Sequence, residues 1–596
     1  MADLIKKVKI KKQDETYTDY IPIGAEAKNV DCADGESVEY KINKKPYYYN
    51  CVADMKADTK LKVGDMAVTL GYYEPNDGGA AEYRIINNSE DYYEILDNSL
   101  KAELIIKENT LNMLSLGVKR NVSSFNSTSL LQNAIDKSKG YILYFPYGKY
   151  YFTNIIVLIG QHNIKIHGDN AFGRDFRTIF LPYKNMEGTM FTIGDATTTI
   201  DNIVYGFEMK NLCIKGEGVT RPIMNAISLG RTSNVLFENL SIYYLNGYAI
   251  LMDGVYDSIF NNVEINVAGN TTTAALIMKG SVTATNAIRY NNCRIEACIR
   301  YLHIMNNVFQ LMFNETKFED NRDSSSTSNM ILIEDEGDIT FTNCLFTSKN
   351  GPEDYLIKLD NNDYKTSVRF VGCNFQCSGT NSNGGKYIDT TSTSTVANVI
   401  ITNCFFSFPN TRGAIKLNKS TFCNNTIFPH TMNDSTNTHI IDVISDNVIE
   451  NNVFLGNNGS YPAFAYKLGG TGNIIKNTKY QSWNNKKLID NISIYGDNSL
   501  DFRLALPTGT SISSNTIDAI QSSFINIPSN TTVEYINNAW VGCELYLYSN
   551  GNNVVIDFTN IPLIYNYISS LTIPGGRVAV LRKISDTAWI LVSTTT

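Results

Sequence analysis

The segment ITFTNCLF at 339–346 returns in altered form as VRFVGCNF at 368–375 and as VIITNCFF at 399–406. Repetition at this spacing constrains the fold more than composition does, because a unit that cannot bury its own apolar face must stack on copies of itself. With the first core residue as position 0, Met209, Phe237, Phe260, Tyr290, Phe313, Phe341, Phe370, Ile401, Cys423, Ile449 and Ile475 fall in register. Successive units are about 22 to 31 residues apart. Position 5 is then Ile214, Ile242, Ile265, Ile295, Phe318, Phe346, Phe375, Phe406, Phe428, Phe454 and Tyr480, all large and apolar, which predicts an inward stack.

Position 2 is Asn in nine of the eleven units (Asn211, Asn239, Asn262, Asn292, Asn343, Asn403, Asn425, Asn451, Asn477), with Glu315 and Gly372 as exceptions. Asn tolerates the left-handed backbone of a sharp bend, and its amide can bond to the copies above and below. Position 3, with Cys293, Cys344, Cys373 and Cys404, shares the inward parity of position 5, so these cysteines read as small buried hydrophobes. A third apolar piece follows each core, as in YAILMD at 248–253 and YLIKLD at 355–360. Three strands per unit predict an all-β fold, a right-handed three-strand-per-coil parallel β-helix.

Composition narrows the function classes. A net charge of -8 spread along 596 residues lacks the basic face that nucleic acid requires. The cluster IKKVKIKK at 5–12 reads as a solvated strand or arm. No apolar run has membrane-spanning length, and the first residues lack a signal-peptide core, so synthesis in a cytoplasm without export is expected. Eleven cysteines without paired spacing, and histidines without ligand spacing, predict neither a metal site nor a cofactor.

At the entry to the repeats, STSLLQNAIDKSKGYILYFPYGKYYF at 127–152 resembles the capping helix and F-P-x-G-x-Y strand of the pectate lyase superfamily β-helices of phage tail spikes. Leu130, Leu131, Ala134 and Ile135 give that helix, about 128–138, an apolar face behind a Ser or Thr cap. The preceding VKRNVSSFNST at 118–128 lacks the Asp residues usual in that family, so their roles do not carry over. The resemblance implies a virion-attachment arm at 1–50, a small β adaptor at 51–110, the β-helix at 111–490 and a C-terminal β-sandwich at 491–596. It also implies a homotrimer in the virion tail that attaches to a phage tail or baseplate protein through the N-terminal region and recognises a bacterial surface polysaccharide.

Glycoside hydrolysis requires two carboxylates about 5 to 9.5 Å apart, and equivalent positions on adjacent coils supply such spacings. Glu296 and Glu319 both occupy position 6 on neighbouring coils and form the candidate catalytic pair, with Asp320 and Glu334 nearby. His303, Lys358 and Asp323 are the candidate substrate-binding residues: Asp323 falls with Asp320 in the loop after Glu319, and His303 and Lys358 share an outward register with Glu334 in a polar strip with Lys279. Against this stands the reading that all are solvated side chains on an exposed sheet. Elimination would instead draw on Arg294, Arg300 or Arg322, but W-x-D-H is absent, as are N-T-D, G-H-G and R-I-K. The expectation is a polysaccharide depolymerase, hydrolase ahead of lyase; the alternative is a non-catalytic adhesin or structural tail component.

Overall fold

The computed structural model describes residues 8–11, 17–21, 46–89, 91–158, 160–169, 178–184, 186–197, 203–216, 224–320, 330–334, 337–348, 355–360, 367–377, 386–390, 398–408, 414–429, 439–455, 464–469, 472–481, 487–490, 499–501, 510–511, 515–518, 524–528, 530–537, 539, 544–550, 553–561, 570–575, 577–585 and 588–594. Two compact units divide the chain, Met1–Tyr150 with Lys165–His167, and Tyr151–Ile164 with Gly168–Thr596.

In the first unit a hairpin pairs Val8–Lys11 with Tyr17–Ile21, placing part of the basic cluster on a strand. A five-stranded sheet runs from the edge strand Tyr47–Tyr49 to the edge strand Tyr93–Ile95, beside the short helix Val52–Ala57. The expected capping helix forms over Thr128–Asp136 and buries Leu131, Ala134 and Ile135. Its cap differs from expectation. The Ser127 side chain makes no capping bond; the Asn126 Oδ1 accepts from the Thr128 backbone N–H at 3.0 Å instead. Gly148 of the F-P-x-G-x-Y strand has φ +151, and a Cβ there would lie 3.0 Å from the Arg120 Cβ, so the motif's glycine is required by its backbone.

The second unit holds most of the β-helix, followed by the C-terminal strands. Each coil supplies one strand to each of three parallel sheets, for example Asp338–Thr342 to sheet A, Leu345–Ser348 to sheet B and Ile357–Leu359 to sheet C. Its core is two aromatic stacks. Phe260, Tyr290, Phe313, Phe341 and Phe370 stack at ring separations of 4.6 to 5.0 Å along sheet A, and Phe318, Phe346, Phe375 and Phe406 at 4.5 to 5.1 Å along sheet B. The stacks meet edge to face, as at Phe341 and Phe346. Ring spacing therefore equals strand spacing, so one geometry satisfies both the backbone ladder and the aromatic contacts.

The asparagine ladder forms at the A–B bend. The Asn239 amide donates to Asn211 Oδ1 at 3.0 Å, Asn262 to Asn239 at 3.1 Å and Asn292 to Asn262 at 2.6 Å, all four with φ between +51° and +56°. Gly372 fits the same bend at φ +65. One register assignment is corrected. Ile401 pairs with Phe422 and Phe406 with Ile427, so Phe422, Asn424 and Ile427 hold positions 0, 2 and 5 of that coil, not Cys423, Asn425 and Phe428. Asn424 takes the left-handed conformation (φ +57), whereas Asn425 is buried at position 3 and accepts from the Cys404 backbone N–H.

At position 3 the thiols of Cys293, Cys344 and Cys373 are buried and donate to the carbonyls of Phe260, Phe313 and Phe341 at 3.2 to 3.3 Å. Burial pushes the Cys293 thiol up to about 12, so it remains a neutral donor. Asn262→Ala keeps the bend but removes a ladder rung and places an ordinary Cβ residue in the left-handed region. We expect a loss of about 1–2 kcal/mol, checked by the denaturant midpoint, with Asn262→Gly losing less.

The C-terminal strands enclose one core containing Ile527, Leu545, Leu547, Ile556, Leu581 and Trp589. Thr516–Asp518 pairs in parallel with Tyr535–Asn537, and Phe524–Pro528 with Glu544–Asn550, while Val578–Ser585 and Ala588–Thr594 close the sheet in antiparallel fashion. Trp589 is thus a core residue; Trp540 lies outside the described residues.

Candidate functional site

Sheet B carries the acidic pair. Glu296 and Glu319 are direct register partners on strands Arg294–Glu296 and Lys317–Asp320, with Ile295 and Phe318 pointing inward between the outward positions. Parallel pairing sets their α-carbons one strand spacing apart, about 4.8 Å. Lys317 binds both acids: its Nζ lies 3.4 Å from Glu296 Oε1 and in closer contact with Glu319 Oε2. Arg294 Nε stands 4.0 Å from Glu296 Oε1. Glu296 is 9% exposed, a degree of burial a carboxylate tolerates only when its charge is compensated.

Besides Lys317, three residues that the sequence did not single out join this site. Glu264 is the register partner of Arg294 and is itself buried. Tyr243 bonds to Glu264, and burial with that carboxylate raises its phenol well above the ordinary range, keeping it neutral. Asn266 stands between Tyr243 and Glu296 in one outward column, Lys215, Tyr243, Asn266, Glu296 and Glu319. Glu264 and Arg294 both fall at position 4, between the inward positions 3 and 5, so the place of Glu264 was available from the repeat. Lys317 stays protonated: burial works against its charge, but bonding to Glu319 and the charge of Glu296 outweigh that and raise its pKa.

This column has a backbone peculiarity. Tyr244, Val267 and Ala297, each the residue after a column member, adopt φ of +56, +53 and +52. Their N–H groups donate to the carbonyls of Asn266, Glu296 and Glu319 at 2.9 to 3.1 Å. A β-branched residue such as Val267 is rarely found in the left-handed region, so that position stores strain of about 1–3 kcal/mol beside the column.

The remaining candidates go elsewhere. Asp320 ends the sheet B strand, in register with Ser348, instead of lying in the loop; its side chain and all of Asp323 lie outside the described residues. His303 and Glu334 belong to sheet C and the residue just after it, and bond to each other, Nε2 to Oε2, at 2.8 Å. The expected shared register is corrected: the partner of both His303 and Lys358 is Leu332, and Glu334 lies two residues further on. Lys279 pairs with Asp253 at 3.2 Å. Lys358 instead begins a column of alternating charge, Lys358, Asp389, Lys416, Asp442 and Lys467, in which each residue faces the opposite sign on the next coil. Such a column neutralises itself along the axis. Among the described residues, no cluster of three or more His, Cys, Asp or Glu is placed to hold a metal, and no helix is long and apolar enough to cross a membrane.

No family model matches the chain. It is 28% identical over 222 residues to a capsule KN3-specific depolymerase of Klebsiella phage KN3-1, a match covering 34% of this chain and 27% of that protein. The chain therefore spans about a quarter of the length of this curated relative. Among solved structures it is similar to the gp42 tailspike of Acinetobacter phage vb_AbaP_AS12, with 12% identity, TM-score 0.51, and coverage of 92% of this chain and 93% of that one. The fold is thus the parallel β-helix found in phage tailspikes.

Proposed function

We propose that this protein is a phage tailspike that binds a bacterial capsular polysaccharide and cleaves it by hydrolysis. The observation that carries this reading is the in-register pair Glu296 and Glu319, two carboxylates on adjacent strands of one outward face. Register partners on adjacent strands suit the separation of about 5–5.5 Å used by retaining glycosidases. The other polar groups argue against elimination at this site. Lys317 is held protonated, Tyr243 is held neutral, and an arginine such as Arg294 does not lose its proton, so none of the three is a base at neutral pH. The carboxylates are left as the proton-transferring groups of the cluster.

Attachment through the N-terminal region, assembly as a homotrimer and a place in the virion tail belong to the same proposal, supported by the tailspike-like fold. A second reading rests on Lys317, whose contacts with both acids are also what a purely structural ion ladder would make. In that case the protein is an adhesin. The test is incubation with purified capsular polysaccharides, following reducing ends together with ultraviolet absorbance of a new double bond. Reducing ends alone are expected; both signals together would establish a lyase, and binding with neither signal an adhesin.

A further inference from the structure

Lys215 stands in the same outward column as the acid pair, three strand spacings before Glu296. Three other outward lysines of the β-helix are paired with acids: Lys210 with Glu208 and Glu238, Lys279 with Asp253, Lys317 with Glu296 and Glu319. Lys215 is different. Among the described residues no carboxylate lies within ion-pair distance of it, and its recorded neighbour is the Tyr244 ring, 5.4 Å from Nζ to centroid.

Tyr244 is 44% exposed, and it holds a left-handed backbone (φ +56) in doing so. A large aromatic kept in solvent at a conformational cost, next to a cation with no ion-paired acid among the described residues, has the composition of a sugar subsite: a flat apolar face for the ring and a charge for its substituent. Tyr243 packs at 6.2 Å from Tyr244, and Asn266 offers an amide one coil nearer the acids.

We propose that Lys215 and Tyr244 form a subsite for a carboxylate-bearing sugar, and that the bound polysaccharide runs along the β-helix axis from this subsite, past Asn266, to Glu296 and Glu319. The direction follows from the column itself, because its members succeed one another from coil to coil and not along a strand. The polymer is acidic, with its charge several sugars' breadth from the bond that is cleaved. Lys215 therefore acts on binding and not on the bond-breaking step. The inference rests on the assignment of the acid pair for the position of cleavage, but not for the binding of the acidic sugar.

The test uses the full chain and a panel of purified Klebsiella and Acinetobacter capsular polysaccharides, each in its native acidic form and after chemical reduction of its carboxyl groups to alcohols. For the polymer that is cleaved, wild-type KM is expected to rise about tenfold on carboxyl reduction, with kcat nearly unchanged. Lys215→Met should show the raised KM on both forms and no further response to reduction. Tyr244→Ala should weaken both forms alike. Direct binding to Glu296→Gln separates the two claims: Lys215-dependent binding without any cleavage by wild type upholds the subsite and overturns the hydrolase. Cleavage indifferent to carboxyl reduction, a Lys215→Met variant as sensitive to reduction as wild type, or binding to none of the polymers overturns the subsite.

Discussion

Glu296→Gln is expected to lower polysaccharide cleavage by about 10²- to 10⁴-fold, with the same order of loss in Glu319→Gln. The amide keeps the shape of the carboxyl but neither accepts nor delivers the proton that glycosidic cleavage requires. Stability should change little, because Lys317 retains its contact with the remaining acid in either variant. The double variant should be scarcely worse than the single ones, since groups that act together in one step are not additive. Reducing-end release on the cleaved capsular polysaccharide measures the loss, and thermal unfolding checks the fold. Undiminished release in both single variants would remove this pair from the chemistry and leave it as an ion ladder.

Phe346→Ala should cost about 3–5 kcal/mol, the largest effect expected from a single truncation in this core. Phe346 is fully buried and stacks on Phe318 at 5.1 Å and Phe375 at 4.8 Å, with the edges of Phe341 and Phe370 against it. Its loss takes contacts from the coil above and the coil below at once. Because each coil of a solenoid touches only its neighbours, the damage should stay local. Hydrogen exchange is the suitable measurement: protection should fall over residues of the coils around 313–375 and persist toward Met209 and beyond Ile449. A uniform loss along the whole β-helix would contradict nearest-neighbour stability.

Most of the architecture was legible because it is written in a short code, an apolar position, an asparagine and a second apolar position. Each has a local physical cause in strand alternation or the left-handed bend. The code failed where it was degenerate. In TFCNNTIF two asparagines are adjacent, and either Phe422 or Cys423 can head the coil by composition. Packing chose Phe422, which is fully buried, and the bend then fell on Asn424. The capping helix was legible for the same local reasons, but its cap moved to Asn126 because a single residue's side-chain bond is decided by geometry that no spacing rule contains.

The acid pair was readable by itself, since two residues at the same repeat position must face each other across one strand spacing, and the register of Glu296 with Glu319 follows from the repeat alone. What only the tertiary structure decided is the company they keep. That Lys317 bridges both acids, that Tyr243 bonds to Glu264, that His303 reaches Glu334 on the diagonal and that Lys215 lies over the Tyr244 ring are all contacts between coils. They depend on side-chain direction across strands that lie some two dozen residues apart in the chain, and on loops of unequal length that set which rows align. Periodicity specifies the columns; side-chain reach between the rows, which periodicity does not encode, makes them a site.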